Sequence, residues 1–183
     1  MSFVETKRLT SAGAKKMVAA AIAKAEEFGI AATVVVVDAG GHPMMLERMD
    51  GGRFHTVHSS TTKAVTASSN KRPTTTLGAQ GQDLDTLHAI GLTLAAGPSR
   101  WTAMEGGYPI IVDRECLGGI GVSGGDWQQD ADIAQAALEA AEALPQRLAP
   151  VRQERDLGRL GGQVVGLHTV AEAIDRRQRQ LRN

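Results

Sequence analysis

The chain of 183 residues is poor in aromatic side chains, which make up 3 % of it, and it has one cysteine, Cys116. Few aromatic rings leave little for stacking on nucleic-acid bases. A formal net charge of zero also lacks the basic excess of proteins that bind nucleic acids or anionic membranes. One cysteine excludes an intrachain disulfide framework and suits a reducing compartment. The sequence therefore predicts a cytoplasmic protein with no nucleic-acid partner.

Long apolar runs are also missing. None approaches the roughly 20 residues that span a bilayer, and the first ten residues lack the apolar core of a signal peptide. We therefore expect no membrane partner. The length allows one domain with a sizeable core. Because aromatic residues are scarce, small and aliphatic side chains must fill that core, which favours close contact between helices and a sheet.

The order of periodic segments predicts two β-hairpins and several helices. Apolar residues at helical spacing predict a first helix that begins at Thr10 or Ser11 and stops at Gly29. A β-branched run predicts a buried strand, and the glycines at 118, 119 and 121 indicate close approach of another backbone or a ligand. The remaining predicted elements are strands at 34–37, 44–49, 108–112 and 117–123 and helices at 55–69, 83–90 and 126–144.

The composition changes after Leu144. Residues 145–183 are rich in arginine, and 165–181 can form an amphipathic helix. We predict a core domain at 1–144 and an Arg-rich extension at 145–183, which we interpret as an oligomerisation arm rather than a frayed basic tail.

Four motifs in a fixed order resemble the GlcG/HbpS family, also called the haem-degrading domain family. This family includes the C-terminal domain of PduO-type cobalamin adenosyltransferases. The resemblance covers roughly residues 9–143. The motifs are VVDAGGH at 36–42, ERMDG at 47–51, KAVTA at 63–67, and GGYP at 106–109 continuing to GGIGVSG at 118–124.

The resemblance implies an α/β (α+β) fold: a profilin-like sandwich with an antiparallel sheet flanked by helices, here followed by a C-terminal helical arm. It also implies a homo-oligomer and, in some members, binding of haem or a related tetrapyrrole.

His55 and His58 are the first candidate site residues. They are spaced i, i+3 at a predicted helix start and therefore share a face. They could ligate a metal, supply an axial ligand to haem iron, or transfer protons. Met44 and Met45, together with Val57, could provide an apolar wall for haem. The alternative is that both histidines are surface residues that cap the helix.

Arg48, Asp50 and Lys63 form a second candidate cluster. In one interpretation, Arg48 and Lys63 hold a carboxylate or propionate near the positive start of the second helix. In the other, Arg48 and Asp50 pair at the strand end and Lys63 is solvated, which contributes little to stability.

Glu105, just before Gly106, could be a general base if it is partly buried; a strand-end carboxylate is the alternative. Ser123 lies in a G-x-S-x-G pattern, but close packing explains those glycines more simply. Three functions stay open: a protein that binds haem or a similar small ligand, a catabolic enzyme, and an accessory subunit of a larger complex that uses the Arg-rich extension as its interface. The enzyme would be a lyase, tautomerase or hydrolase that acts on a small carboxylated substrate through His55, His58 or Glu105.

Overall fold

The computed structural model describes residues 2–141 of the chain. Its elements, in order, are α1 (Ser11–Glu27), β1 (Thr33–Asp38), β2 (Pro43–Arg48), α2 (Thr56–Asn70), α3 (Thr86–Ala96), β3 (Gly107–Val112), β4 (Glu115–Ser123) and α4 (Trp127–Ala140). The predicted extension at 145–183, and the boundary at 144, lie outside the described residues.

The four strands form one antiparallel sheet in the order β2-β1-β4-β3. Helices α1 and α4 pack on one face, and α2 packs on the other across β4, β1 and β3. This confirms the predicted α/β fold with an antiparallel sheet flanked by helices. Within residues 2–141, none of the helices combines the length and the apolar character that a membrane crossing requires.

Strand β1 lies in the centre of the core and is buried on both faces. Val34 and Val36 point into the larger apolar cluster under α1 and α4, while Val35 and Val37 pack against Ala64 of α2. Because both faces are covered, the strand is a continuous β-branched run instead of an alternating pattern.

The helix ends follow the predicted capping chemistry. The side chain of Thr10 accepts a hydrogen bond from the amide of Gly13 at the start of α1, and Gly29 beyond its end has φ +67°. Asp126 and Gln129 form the capping box of α4. These three features confirm the ends predicted from the sequence.

The glycines of β4 let α2 lie directly on the sheet backbone. A Cβ added at Gly119 would collide with the carbonyl of Ala64, and one added at Gly121 would collide with the carbonyl of Ser60. The backbone that approaches these glycines is therefore that of helix α2. Helix–sheet packing explains the close approach predicted from the sequence, and a ligand is not needed to explain it.

Helix α3 differs from its prediction. It begins after the N-cap Asp85, whose side chain accepts from the amide of His88, and it continues to Ala96 instead of ending at residue 90. None of its residues is buried.

Candidate functional site

The start of α2 places His55 and His58 on the surface. His55 occupies the N-cap position but has helical backbone angles, φ −71° and ψ −17°, and its side chain makes no capping hydrogen bond. Both histidines are exposed, and the ring of exposed Phe54 meets that of His55 edge-on at 5.8 Å between centroids. Both imidazoles are therefore accessible to a ligand, and the predicted capping role of the His55 side chain is not observed.

The first amides of α2 are already used. Those of Thr56, Val57 and His58 donate to the carbonyls of Arg53, Phe54 and His55, at 3.2, 3.3 and 3.1 Å. An anion at this helix start would have to compete with those bonds. Because these amides already have acceptors, the N-terminus of α2 should contribute less to anion binding than the sequence predicts.

A buried pair of hydroxyl groups fixes this helix start to the sheet. The side-chain oxygens of Thr33 and Thr56 are 2.6 Å apart, and both residues are buried. Thr56 donates its hydroxyl hydrogen to the carbonyl of Arg53 at 2.6 Å, so Thr33 is the donor in the pair. The hydrogen-bond chain ties the turn at Arg53 to the first residue of β1.

Thr33 also marks a row of residues that crosses the sheet. In the strand register it lies opposite Arg48 of β2 and opposite Ser123 of β4. Residues directly opposite in an antiparallel pair share a face, so all three side chains lie on the α2 face. The hydroxyl of Ser59 in α2 donates to that of Ser123 at 2.8 Å.

Glu105 approaches the same end of the sheet from β3. The carbonyl of the next residue, Gly106, accepts from the amide of Val122 at 2.9 Å, and Val122 precedes Ser123. Glu105 is half-buried, which meets the condition set for a general base.

Burial raises the pKa of the Tyr108 hydroxyl, and the Glu105 carboxylate is close enough to raise it further. This hydroxyl accepts from the side-chain amide of Gln135 in α4, so Glu105 is directed toward the α4 side of the sheet. We call Arg48, His55 and His58 the His55–His58 end of the sheet.

Lys63 does not belong to this surface. It is 3 % exposed, and its ammonium group donates to the carbonyl of Val122 and to the carboxylate of Asp130, both at 2.7 Å. The expectation of a solvated Lys63 is wrong. Arg48 lies on β2, two strands or about 10 Å from β4, so the structure does not bring the predicted pair of cations together.

Asp50 and the two methionines also differ from expectation. Arg48 and Asp50 are both exposed, and within residues 2–141 no ion pair joins them. Met44 and Met45 are half-buried and pack on the larger apolar cluster with α1 and α4, so they do not form a wall beside the histidines. Leu46 lies opposite Val35 on the α2 face and is 42 % exposed, so it is an accessible apolar residue on the same face of the sheet as α2.

One cavity lies away from this end. It has a volume of about 500 Å³ and lies between the segment before α1 and the turn after β1, with Arg8, Asp38, Met44 and Leu117 among its lining residues. Thr33 and Asp38 are at opposite ends of β1, about 17 Å apart. A ligand at the His55–His58 end would therefore not occupy this cavity.

The residue types at the His55–His58 end fit haem. Two imidazoles are accessible, Phe54 and Leu46 are 78 % and 42 % exposed for contact with a ring, and the exposed guanidinium of Arg48 can pair with a propionate. Among residues 2–141 no group of three or more His, Cys, Asp or Glu side chains could hold a metal ion. Haem requires only one or two axial ligands from the protein.

The sequence does not single out three residues that build this region, Arg53, Thr56 and Ser59, nor Asp130, the partner of Lys63. The guanidinium of Arg53 donates to the carbonyl of Gly124 at 3.1 Å, which holds the turn before α2 against the end of β4. These contacts join segments far apart in the sequence, so no local pattern indicates them. For Lys63 a signal existed, because it lies between Ser60, Ala64 and Ala67 on the buried side of α2.

Comparisons with known proteins agree with the predicted resemblance. The model of a family described as haem-degrading, HbpS-like proteins matches residues 9–139. An uncharacterized 15.0 kDa protein of Citrobacter freundii, from the dhaT–dhaS intergenic region, is 34 % identical over 136 residues. The matched region is 74 % of this chain and 94 % of that protein.

Two solved structures have the same fold. The protein ORFY of Klebsiella pneumoniae is 35 % identical with a TM-score of 0.68, and the match covers 79 % of this chain and 98 % of ORFY. The PduOC protein in its complex with haem is 30 % identical with a TM-score of 0.64, covering 73 % and 95 % of the two chains.

Proposed function

This chain belongs to the family of HbpS-like haem-degrading proteins, and on that premise we propose that it binds haem or a related tetrapyrrole. The observation that carries the proposal is that a 30 % identical protein of the same fold forms a haem complex. The accessible histidines at the start of α2 give this chain a chemically suitable place for the same type of ligand.

In this proposal His55 or His58 is the axial ligand, and bound haem would supply iron chemistry to the site. Phe54 and Leu46 contact the apolar ring, and Arg48 pairs with a propionate. Asp50, two residues after Arg48 and exposed, would accept a hydrogen bond from a polar group at the rim of the ligand. Lys63 would reach the ligand only by leaving Asp130 and Val122, so we assign anion binding to Arg48 rather than to Lys63.

A second function is favoured by the partial burial of Glu105. A half-buried carboxylate and two accessible imidazoles are residue types that can transfer protons to and from a small carboxylated substrate. His55 or His58 would act as acid while Glu105 removes a proton, as in a lyase or tautomerase. Exchange of the methyl protons of pyruvate in D₂O, followed by NMR, tests this chemistry. Exchange no faster with the wild type than with Glu105→Gln rejects it.

We also propose that the protein is a cytoplasmic homo-oligomer, with residues 145–183 as an oligomerisation arm. A chain that ends at Leu144 should then form an assembly of fewer subunits than the full chain, calculated from the mass in solution measured by light scattering. An unchanged number of subunits would reject the oligomerisation arm.

Titration of the full chain with haemin tests the main proposal. We expect a stoichiometric shift of the Soret band, which His55→Ala or His58→Ala removes. His42→Ala is the matched control, because His42 is exposed and follows the Asp38–Gly40 turn beside the 500 Å³ cavity. Absence of a stoichiometric shift rejects haem binding. If His42→Ala removed the shift and the other two variants did not, the ligand would bind at the opposite end of the sheet, near His42.

A further inference from the structure

The 500 Å³ cavity is lined by residues that the proposed haem site does not use. Leu117 belongs to the larger apolar cluster under α1 and α4, and Leu9 and Met44 pack against that cluster, so the cavity lies on the face of the sheet that α1 covers. It is also at the Asp38 end of β1, whereas the two histidines are at the start of α2, on the opposite face. Small-molecule pockets have volumes of roughly 300–1,000 Å³ and mostly apolar walls. The cavity therefore has the size and the wall of a separate site for a small ligand.

The segment before α1 forms one wall of the cavity, and Lys7 fixes this segment in place. The amide of Lys7 donates to the Glu115 carboxylate at 2.9 Å, and its ammonium group donates to the Asp113 carboxylate. These two bonds join the segment to the turn between β3 and β4. They also offset the charge of Lys7, so Arg8 is the lining cation that is left to act on a ligand.

The guanidinium of Arg8 is available to such a ligand. Arg8 is exposed, and within residues 2–141 no ion pair joins it to a carboxylate. Asp38 lines the same cavity, yet the two side chains do not pair with each other. Their opposite charges are therefore separated by a gap that a ligand can bridge. Because a guanidinium holds a carboxylate through two parallel hydrogen bonds, a carboxylate is the group that Arg8 is suited to bind.

The carboxylate of Asp38 is held in a fixed orientation. Its Oδ1 atom accepts from the amides of His42 and Gly40 at 2.9 and 2.8 Å, and the ring Nδ1 of His42 lies 3.3 Å from the same oxygen. The bond from the His42 amide, above all, holds the pKa of Asp38 below its ordinary 3.8, so the group is ionised at neutral pH. Among the described residues no hydrogen bond goes to Oδ2. One oxygen of a rigid anion is thus left to accept from a ligand.

We propose that this cavity binds a small zwitterion with an apolar side chain, of the α-amino-acid class. The ligand carboxylate pairs with Arg8, the ligand ammonium group donates to Asp38, and the side chain contacts Met44 and Leu117. A simple organic anion would be repelled by Asp38 and a simple amine by Arg8, whereas a zwitterion satisfies both charges. The proposal does not depend on haem binding, since the two sites share no residue.

Isothermal titration calorimetry of the full chain with L-leucine and with L-phenylalanine tests the proposal. At least one of them should bind with one site per chain. Arg8→Gln should raise its dissociation constant about 10-fold or more, as expected for loss of a charge-assisted hydrogen bond. Arg100→Gln is the matched control, because Arg100 is exposed and its carbonyl accepts from Thr66 of α2, on the other face of the sheet. Its dissociation constant should equal that of the wild type.

Analogues that lack one charge test the pairing of both ends of the ligand. Isocaproate and hydrocinnamate lack the ammonium group of leucine and phenylalanine, and isopentylamine and phenethylamine lack the carboxylate. Each analogue should bind about 10-fold or more weakly than its parent amino acid. The proposal is overturned if neither amino acid binds, if Arg8→Gln binds like the wild type, or if an analogue binds as tightly as its parent.

Amide NMR spectra locate the ligand and separate this site from the haem site. The amide signals of Thr10 and Gly40, which line the cavity, should shift with the bound amino acid, and those of His55 and His58 should not. The chain saturated with the amino acid should bind haemin as tightly as the free chain. Shifts confined to the start of α2, or displacement of the amino acid by haemin, would overturn the proposal. Failure of haemin to bind at all would reject the haem site and leave the amino-acid titration unchanged.

Discussion

The ammonium nitrogen of Lys63 lies 2.7 Å from a carboxylate oxygen of Asp130, and the two side chains are only 4 % and 6 % exposed. The pair connects α2 to the first turn of α4 at the end of the sheet. Gly106 makes room for it, since a Cβ at that position would lie 2.7 Å from the Cβ of Asp130 and 3.2 Å from the ammonium nitrogen. The amide of Gly125 donates to the other carboxylate oxygen at 3.0 Å, so the carboxylate is bonded on both sides.

Lys63→Met should destabilise the protein by about 3–5 kcal/mol, because removal of one partner leaves a buried charge without compensation. Urea unfolding of the full chain near pH 7 measures this loss. The double variant Lys63→Met/Asp130→Leu should be more stable than Lys63→Met alone, since it removes both charges. If Lys63→Met costs less than about 1 kcal/mol, the pair is not a structural element of the fold.

The loss in Lys63→Met should depend on pH. Burial raises the pKa of the Asp130 carboxyl above its ordinary value of 3.8, and the Lys63 ammonium opposes that rise. Without Lys63 the pKa rises further, so the folded variant takes up a proton at a pH where the unfolded chain does not. The free energy of unfolding of the variant, relative to the wild type, should therefore recover as the pH falls toward that raised pKa. A constant difference between pH 7 and pH 4.5 would contradict this.

Local patterns in the sequence were sufficient for the sheet and for three of the four helices. The β-branched run at β1, the Thr10 cap and the Asp126–Gln129 capping box each depend on residues that are neighbours in the chain. Their energetics are local, and the structure confirms them. The order of the motifs likewise predicts the family, and the match of the family model to residues 9–139 confirms it.

The pairing of Lys63 and the limits of α3 could not be obtained in the same way. Lys63 was placed by charge alone, although its partner is 67 residues further along the chain. The Asp85 cap of α3 is a local feature, whereas the isolated bridge between Leu77 and Asp83 that precedes it has no sequence signature. The helix continues past Ile90 to Ala96, although a glycine such as Gly91 is unfavourable within a helix.

Gly121→Ala should cost at least the upper end of the roughly 1–3 kcal/mol typical of overpacking. The added Cβ would collide with the carbonyl of Ser60 and lie 2.6 Å from the amide nitrogen of Ala64, and neither backbone group can turn aside. Gly91→Ala is the matched control. Measured at a concentration too low for association, it should stabilise the chain by up to about 1 kcal/mol through helix propensity. Equal effects of the two substitutions would contradict the close contact between α2 and β4.

Asp38→Asn should destabilise the protein at neutral pH but not in acid. The amides of His42 and Gly40 donate to the Asp38 carboxylate at 2.9 and 2.8 Å, and these bonds hold its pKa below the ordinary 3.8. A lowered pKa in the folded state means that the ionised group stabilises the fold above about pH 4, and that this contribution is lost as the pH falls through the lowered value. The difference in urea midpoint between wild type and variant should therefore shrink between pH 6 and pH 2.5. A difference that does not change with pH would show that the charge of Asp38 is unimportant.

Thr56→Val should loosen the start of α2 and, with it, the proposed haem site. The substitution keeps the shape of the side chain but leaves the buried hydroxyl of Thr33 without its acceptor, at a cost of roughly 1–3 kcal/mol. The carbonyl of Arg53 keeps only the bond from the backbone amide of Thr56. Thr61→Val is the matched control, because the Thr61 hydroxyl only bonds back to the carbonyl of Val57 in the same helix, an interaction with little net benefit. Hydrogen exchange of the amides of His58 and Ser59 should accelerate in Thr56→Val and stay unchanged in Thr61→Val. Since His55 and His58 are positioned by this helix start, the dissociation constant for haemin should rise several-fold in the first variant only. If the two variants bound haemin with similar affinities, the hydrogen bond between Thr33 and Thr56 would not contribute to haemin binding.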